Sequence, residues 1–180
     1  MSQSTGERPV SFSASVTDTL AFQELTTSYI NHIINDGPHD VELTFNNEAI
    51  NLFVGEFIED VRVDLFKLSY RTLSGGNTAT LRALLKEGNT SGRTPRTFAG
   101  TATTTEASVE IKSSYIFFLA NDGDDPIQFG IDRSVDGNAE IITLNGGDVL
   151  EDLAIPIHRL YYKATTGSNA FRFFGVKRAI

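Results

Sequence analysis

The sequence predicts an all-β protein: a tandem duplication of a β-sandwich domain, jelly-roll-like in character. Three observations predict it. The chain repeats itself internally, its apolar residues fall in short alternating runs closed by turn residues, and no helical period is sustained.

The repeat is clearest between residues 55–85 and 147–177. Gly55/Gly147, Glu59/Glu151, Asp60/Asp152, Leu68/Leu160, Tyr70/Tyr162, Gly75/Gly167 and Asn77/Asn169 are identical at a spacing of 92 residues. Upstream the spacing is 86: Phe12/Phe98, Thr17/Thr103, Thr19/Thr105, Ala21/Ala107 and Glu24/Glu110 pair, as do two Ser-Tyr-Ile and two Asn-Asp-Gly triplets. The change of spacing places six extra residues in the second copy, best within RSVDGNA at 133–139, where Asp136-Gly137 is a hairpin-turn signal. The expected organisation is a flexible arm over 1–10, a β domain over 11–86, a Gly/Ser/Thr/Pro linker over 87–96, and a second β domain over 97–180.

Taken in order, 12–16 alternates apolar and small polar residues as a half-buried strand does, and strands follow at 20–25 and 29–34. The counterpart of the third strand, 115–120, is apolar throughout and predicts a strand buried on both faces. His32 aligns there with Phe118, which predicts a wall residue. Val41, Leu43 and Phe45 alternate with polar residues, as do Ile127, Phe129 and Ile131; short strands follow at 50–52 and 142–144. Segments 65–71 and 157–163 predict the penultimate strand of each copy, and 78–85 and 170–177 the last. Residues 80–87 (TLRALLKE) are good helix formers, but their partner FRFFGV is not, so the duplication overrules local propensity. The expected core is Tyr29, Ile30, Ile33, Phe45, Leu68, Ile116, Phe118, Phe129, Leu160 and Phe173.

Composition narrows the function. Across 180 residues there are 13 Phe, 5 Tyr and no Cys, which excludes disulfides and cysteine-ligated zinc. A net charge of −8 speaks against nucleic acid, although Arg93, Arg96 and Lys112 form a small basic group near the copy junction. The first ten residues lack the apolar stretch of a signal peptide and no apolar run reaches bilayer length, so the expectation is synthesis in a host cytoplasm with no membrane partner.

Candidate chemistry is sparse. His32, His39 and His158 share no metal-ligand spacing, and no serine sits in a nucleophile setting. Asp36, Asp40, Asp122, Asp124 and Asp125 read as turn residues in preference to calcium ligands. Glu59-Asp60 and Glu151-Asp152 are adjacent in sequence and in a strand would point to opposite faces, unlike a catalytic carboxylate pair. Gly75-Gly76 and Gly146-Gly147 fall in hairpin contexts, away from any phosphate loop. Tyr70-Arg71 and Tyr161-Tyr162-Lys163 place aromatics beside cations, read as core packing before ligand stacking. No polar site is common to both copies in this register, since Ser69 faces Tyr161 and Ala79 faces Phe171. The expectation is a protein that is not an enzyme, with no catalytic residue, no cofactor-binding residue and no metal ligand.

One set of turn and strand residues resembles a recurring pattern in virion structural proteins of tailed bacteriophages. It comprises Asn121-Asp122-Gly123, Gly147-Asp148, Glu151-Asp152-Leu153, Ile157-His158-Arg159-Leu160-Tyr161 and Gly175-Val176-Lys177; the first copy departs from it at Ala83-Leu84-Leu85. The resemblance implies a virion-located β module: a capsid decoration or cement protein, with tail, collar or baseplate component, or a carbohydrate- or host-receptor-binding module, as alternatives. The implied partners are phage capsid or tail subunits and other copies of the chain, a trimer being one arrangement.

Overall fold

Alternating apolar residues drive fifteen β-strands and no helix among the described residues of the computed structural model, which are 8–75, 77–87, 92–138 and 140–178. The chain divides into two units, Met1–Pro95 and Arg96–Arg178. Unit 1 contains β1 (Arg8–Val16), β2 (Ala21–Asn35), β3 (Val41–Phe45), β4 (Glu48–Leu52), β5 (Phe57–Val61), β6 (Leu65–Thr72) and β7 (Ala79–Glu87). Unit 2 contains β8 (Arg93–Thr103), which begins at the boundary, then β9 (Ala107–Ser113), β10 (Tyr115–Asn121), β11 (Ile127–Ile131), β12 (Ile142–Leu144), β13 (Val149–Leu153), β14 (Ile157–Ala164) and β15 (Ser168–Arg178).

In unit 2 the strands form two four-stranded sheets, β13-β10-β15-β8 and β12-β11-β14-β9. That order is the eight-stranded, two-Greek-key arrangement of a jelly roll. Unit 1 has the same order with β9 and β10 replaced by the single long β2. The first part of β2 pairs with β6 and the rest with β7 and β5, the change falling at a register shift between Glu24 and Thr27. One strand therefore serves both layers, where two separate strands had been expected at 20–25 and 29–34.

The inward positions fill each sandwich. Phe129, Phe171 and Phe173 with Leu119, Ile127 and Leu160 make the core of unit 2, with ring centroids of Phe171 at 4.6 Å from Tyr162 and 5.3 Å from Phe129. In unit 1, Ile30, Ile33, Leu43, Phe45, Leu68, Leu81 and Leu85 are fully buried. Of the expected core, Tyr29 and Phe118 are only half-buried. Nor is 115–120 buried on both faces: Tyr115, Phe117 and Phe118 are half-buried, because a register shift between Ile116 and Phe118 turns these rings onto the outer side, where both Phe117 and Phe118 pack on Phe174. Residues 80–87 lie in β7, with Leu81, Ala83 and Leu85 buried and Arg82 and Leu84 outward, the period of a strand.

Two boundaries also move. Arg8, Pro9 and Val10 belong to β1, paired with Glu87, Lys86 and Leu85, so they are strand and not arm; 1–7 lie outside the described residues. β7 reaches Glu87 and β8 starts at Arg93, which shortens the expected linker to 88–92, of which 88–91 lie outside the described residues. Backbone pairing claims the flanks of both segments because an unpaired strand neighbour offers hydrogen bonds that a polar coil residue readily takes.

Candidate functional site

The Asn-Asp-Gly triplets build the same device in both units. Asn121, buried, donates its amide to the carbonyls of Asp125 (2.8 Å) and Leu144 (3.0 Å) and accepts from Gly123 N–H (3.1 Å). Asn35 does likewise with His39, Leu52 and Gly37. The next residue forms an ion pair with the last strand. Asp122 takes a bidentate contact from Arg172 at 2.7 and 2.8 Å, and Asp36 pairs with Arg82 at 2.6 Å.

These ion pairs correct the sequence register. Leu81 and Phe171 hold equivalent places opposite Asn35 and Asn121, so the spacing in the last strand is 90 and not 92. The turn before β7 carries the two additional residues. Asn77 and Asn169, and Ala79 and Phe171, are therefore not counterparts, and a polar constellation (Asn35, Asp36, Arg82 and Asn121, Asp122, Arg172) is common to both copies after all. A two-residue slip after the turn would have aligned Arg82 with Arg172 in the sequence; the identities at Gly75/Gly167 and Asn77/Asn169 masked it.

A second shared device uses left-handed backbone. Asn46 (φ 59°) accepts from the N–H groups of Phe66 and Lys67, and Asp132 (φ 54°) from those of His158 and Arg159. Asp60 and Asp152 (φ 55° and 54°) each accept a tyrosine hydroxyl, from Tyr29 at 3.0 Å and Tyr115 at 3.2 Å. The left-handed turn also defeats simple alternation: Glu59 and Asp60 are both exposed, as are Glu151 and Asp152.

Unit 2 carries two further features. After Asp132 the extra residues of unit 2 form a loop gathered on Glu106, whose carboxylate accepts from the Ser134 hydroxyl and from the N–H groups of Val135 and Asp136. The Ser134 hydrogen bond, followed by the backbone donors, holds the Glu106 pKa below its ordinary value. Gly130 lies under this loop, where a Cβ would meet the Arg133 carbonyl. The second is an open cavity of about 640 Å³ at the β9–β10 break, lined by Lys112, Ser113, Ser114, Asp132, Pro156, Ile157, His158 and Lys177. Glu110 Oε1 stands beside it, 2.9 Å from Lys112 Nζ and 3.1 Å from His158 Nε2. Its pKa is lowered, first by the Lys112 hydrogen bond.

The other candidates are dispersed. His32 is half-buried and stacks on Phe57 at 5.6 Å, His39 supplies a backbone carbonyl to Asn35, and only His158 faces the cavity. Tyr70 and Tyr162 are core residues. Asp40 caps the Val54 N–H, and among the described residues no group of three histidine or acidic side chains has metal-holding geometry.

No family model matches the chain, and no curated protein matches it in sequence. Solved structures that it resembles include the turret protein of Sulfolobus turreted icosahedral virus, at 12% identity over 95% of this chain and 98% of that one, with a TM-score of 0.39. The major capsid protein of bacteriophage PM2 matches at 8% identity over 93% and 98%, with a TM-score of 0.41. A conserved protein of unknown function from Pseudomonas aeruginosa matches at 11% identity over 94% and 80%, with a TM-score of 0.44. Likenesses this distant carry no functional argument.

Proposed function

We propose that this chain is a non-enzymatic structural protein of a virus particle, one that binds and stabilises a capsid lattice as a decoration or cement protein of a phage head. The observation that carries the reading is a pair of jelly-roll-like units in one short chain, each with its interior filled by side chains. Jelly rolls serve as capsid and lectin domains and as cupins. A filled interior moves any partner to the outside, which suits lattice binding better than chemistry inside a barrel. The phage-like turn and strand pattern of residues 121–177 supports the same reading. Two linked units also double the contacts to a lattice and raise avidity without one strong site.

The test adds purified protein to expanded, empty phage heads and to tails, followed by electron microscopy. Extra density at regular lattice points on heads is the expected result. Density on tails alone moves the assignment to a tail, collar or baseplate component. Bare particles, together with binding to a host glycan, would replace the reading by a receptor-binding module.

A further inference from the structure

At four positions that line the cavity of unit 2, unit 1 carries a residue of different charge or polarity. At the corresponding positions unit 1 carries Glu24, Thr26, Asn46, Phe66, Lys67 and Glu87, and unit 2 Glu110, Lys112, Asp132, His158, Arg159 and Lys177. Of these, Lys112, Asp132, His158 and Lys177 line the cavity, so that a threonine, an asparagine, a phenylalanine and a glutamate become two cations, a histidine and one carboxylate, with Glu110 beside them. Both carboxylates are already engaged: Asp132 Oδ1 accepts the N–H groups of His158 and Arg159, at 2.9 and 2.6 Å, and Glu110 holds Lys112 and His158. The apolar lining residues of the cavity are Pro156, which is exposed, and Ile157, which is buried in the core of unit 2.

The backbone marks the same place. Of the five non-glycine residues with positive φ among the described residues, Asn46, Asp132, Asp60 and Asp152 are types that tolerate it and recur as pairs across the units. Lys112, at φ 53°, is neither, and its counterpart Thr26 lies within the long β2. Holding a lysine there costs backbone energy, and such outliers cluster at ligand clamps. The turn is fixed by the buried Ser113, whose single hydroxyl proton is shared between the Tyr115 and Val176 carbonyls, at 2.7 and 3.0 Å. Unit 2 has therefore broken a strand that unit 1 keeps, and the break puts a lysine at the cavity.

We propose that this cavity is a docking site for an acidic polypeptide segment of a partner protein, with one apolar side chain against Pro156 and flanking carboxylates on Lys112 and Lys177. The inference rests on the reading of the chain as a binding protein and not on the identity of the particle. It is therefore tested in solution, where its failure leaves lattice attachment untouched. The probe is a fluorescein-labelled peptide of one phenylalanine flanked on each side by glutamates, followed by anisotropy at low salt. Controls replace the glutamates by lysines or the phenylalanine by glycine. Saturable binding of the first peptide is expected, weakened by salt and by either control substitution. The variant Lys112→Thr, His158→Phe, Lys177→Glu, which takes the residues of unit 1, should weaken binding by about tenfold or more, as loss of charge-assisted contacts does. Lys67→Glu in unit 1 should leave it unchanged. Lys112→Gly, which suits the left-handed backbone, serves as a second variant if the triple substitution lowers the melting temperature. No saturable binding, equal binding of the lysine peptide, or equal binding by the variants at intact fold would overturn the proposal. Self-association of the wild type that the variants abolish would assign the cavity to a second copy and overturn the partner named here.

Discussion

Arg172 and Arg82 hold the same place in the two units but not the same weight. The Arg172 and Asp122 side chains are 5% and 13% exposed, and the guanidinium also lies 5.7 Å from the Phe118 ring centre. The Arg82 and Asp36 side chains are 65% and 40% exposed. Removing one partner of a buried pair strands a charge and costs about 3–5 kcal/mol, whereas an exposed pair contributes less than about 1 kcal/mol. Arg172→Ala should therefore lower the midpoint of urea unfolding markedly, and Arg82→Ala only slightly. Glu106 gives a pH-dependent counterpart. Its lowered pKa means that its contribution is present above the ordinary value of 4.5 and fades as pH falls through the lowered one. The stability gap between wild type and Glu106→Gln should accordingly close on acidification; a gap that stays constant would show that the Ser134 contact does not select the charged form.

At the scale of elements, β7 shows how tertiary context sets structure. Its segment reads as helix on propensity, yet Leu81 is fully buried and Leu84 is 42% exposed, which only a two-residue period explains. Leu81→Ala should cost about 2–5 kcal/mol, and Leu84→Ala under about 0.5 kcal/mol as a surface change, read by thermal unfolding. A helix in this segment would make the two costs similar. The same logic separates two phenylalanines of unit 2. Phe129→Ala should cost about 3–5 kcal/mol, and Phe118→Ala clearly less, because the half-buried Phe118 ring packs on the outer side of its sheet. Gly130 belongs to this scale too: its place under the inserted loop predicts that Gly130→Ala loosens the Glu106-capped turn before it disturbs β11, measurable as faster amide exchange at Val135 and Asp136.

On the scale of the whole molecule, a net charge of −8 fits the proposed reading if partners are met through local patches and not through the overall field. The assembly reading predicts an oligomer in light scattering at the concentrations used for particle binding. Deleting 1–7 should weaken attachment to the particle while leaving the melting temperature in place. Deletion of 1–10 is a different experiment, since it also removes Arg8, Pro9 and Val10 from their pairing with β7. A stable monomer that attaches equally well without 1–7 would remove both the oligomer and the arm from the picture.

Sequence alone determined the all-β class, the duplication, the strand character of 80–87 and the site of the inserted loop. Repeat identities and two-residue periodicity report directly on which backbone positions face a core. What it left to the tertiary structure was registry across layers. Arg82 and Arg172 are equivalent because each meets the aspartate after its buried asparagine, a contact between segments 46 and 50 residues apart along the chain. A turn two residues longer in one copy hides that equivalence from any single fixed spacing. The cavity was invisible for a related reason. Lys112, Asp132, His158 and Lys177 come from four separate segments, brought together by strand pairing and, for Lys112, by the left-handed turn that splits in unit 2 the strand that unit 1 keeps whole. Local propensity disfavours such a turn at lysine, so packing and hydrogen bonds made elsewhere in the fold decide it.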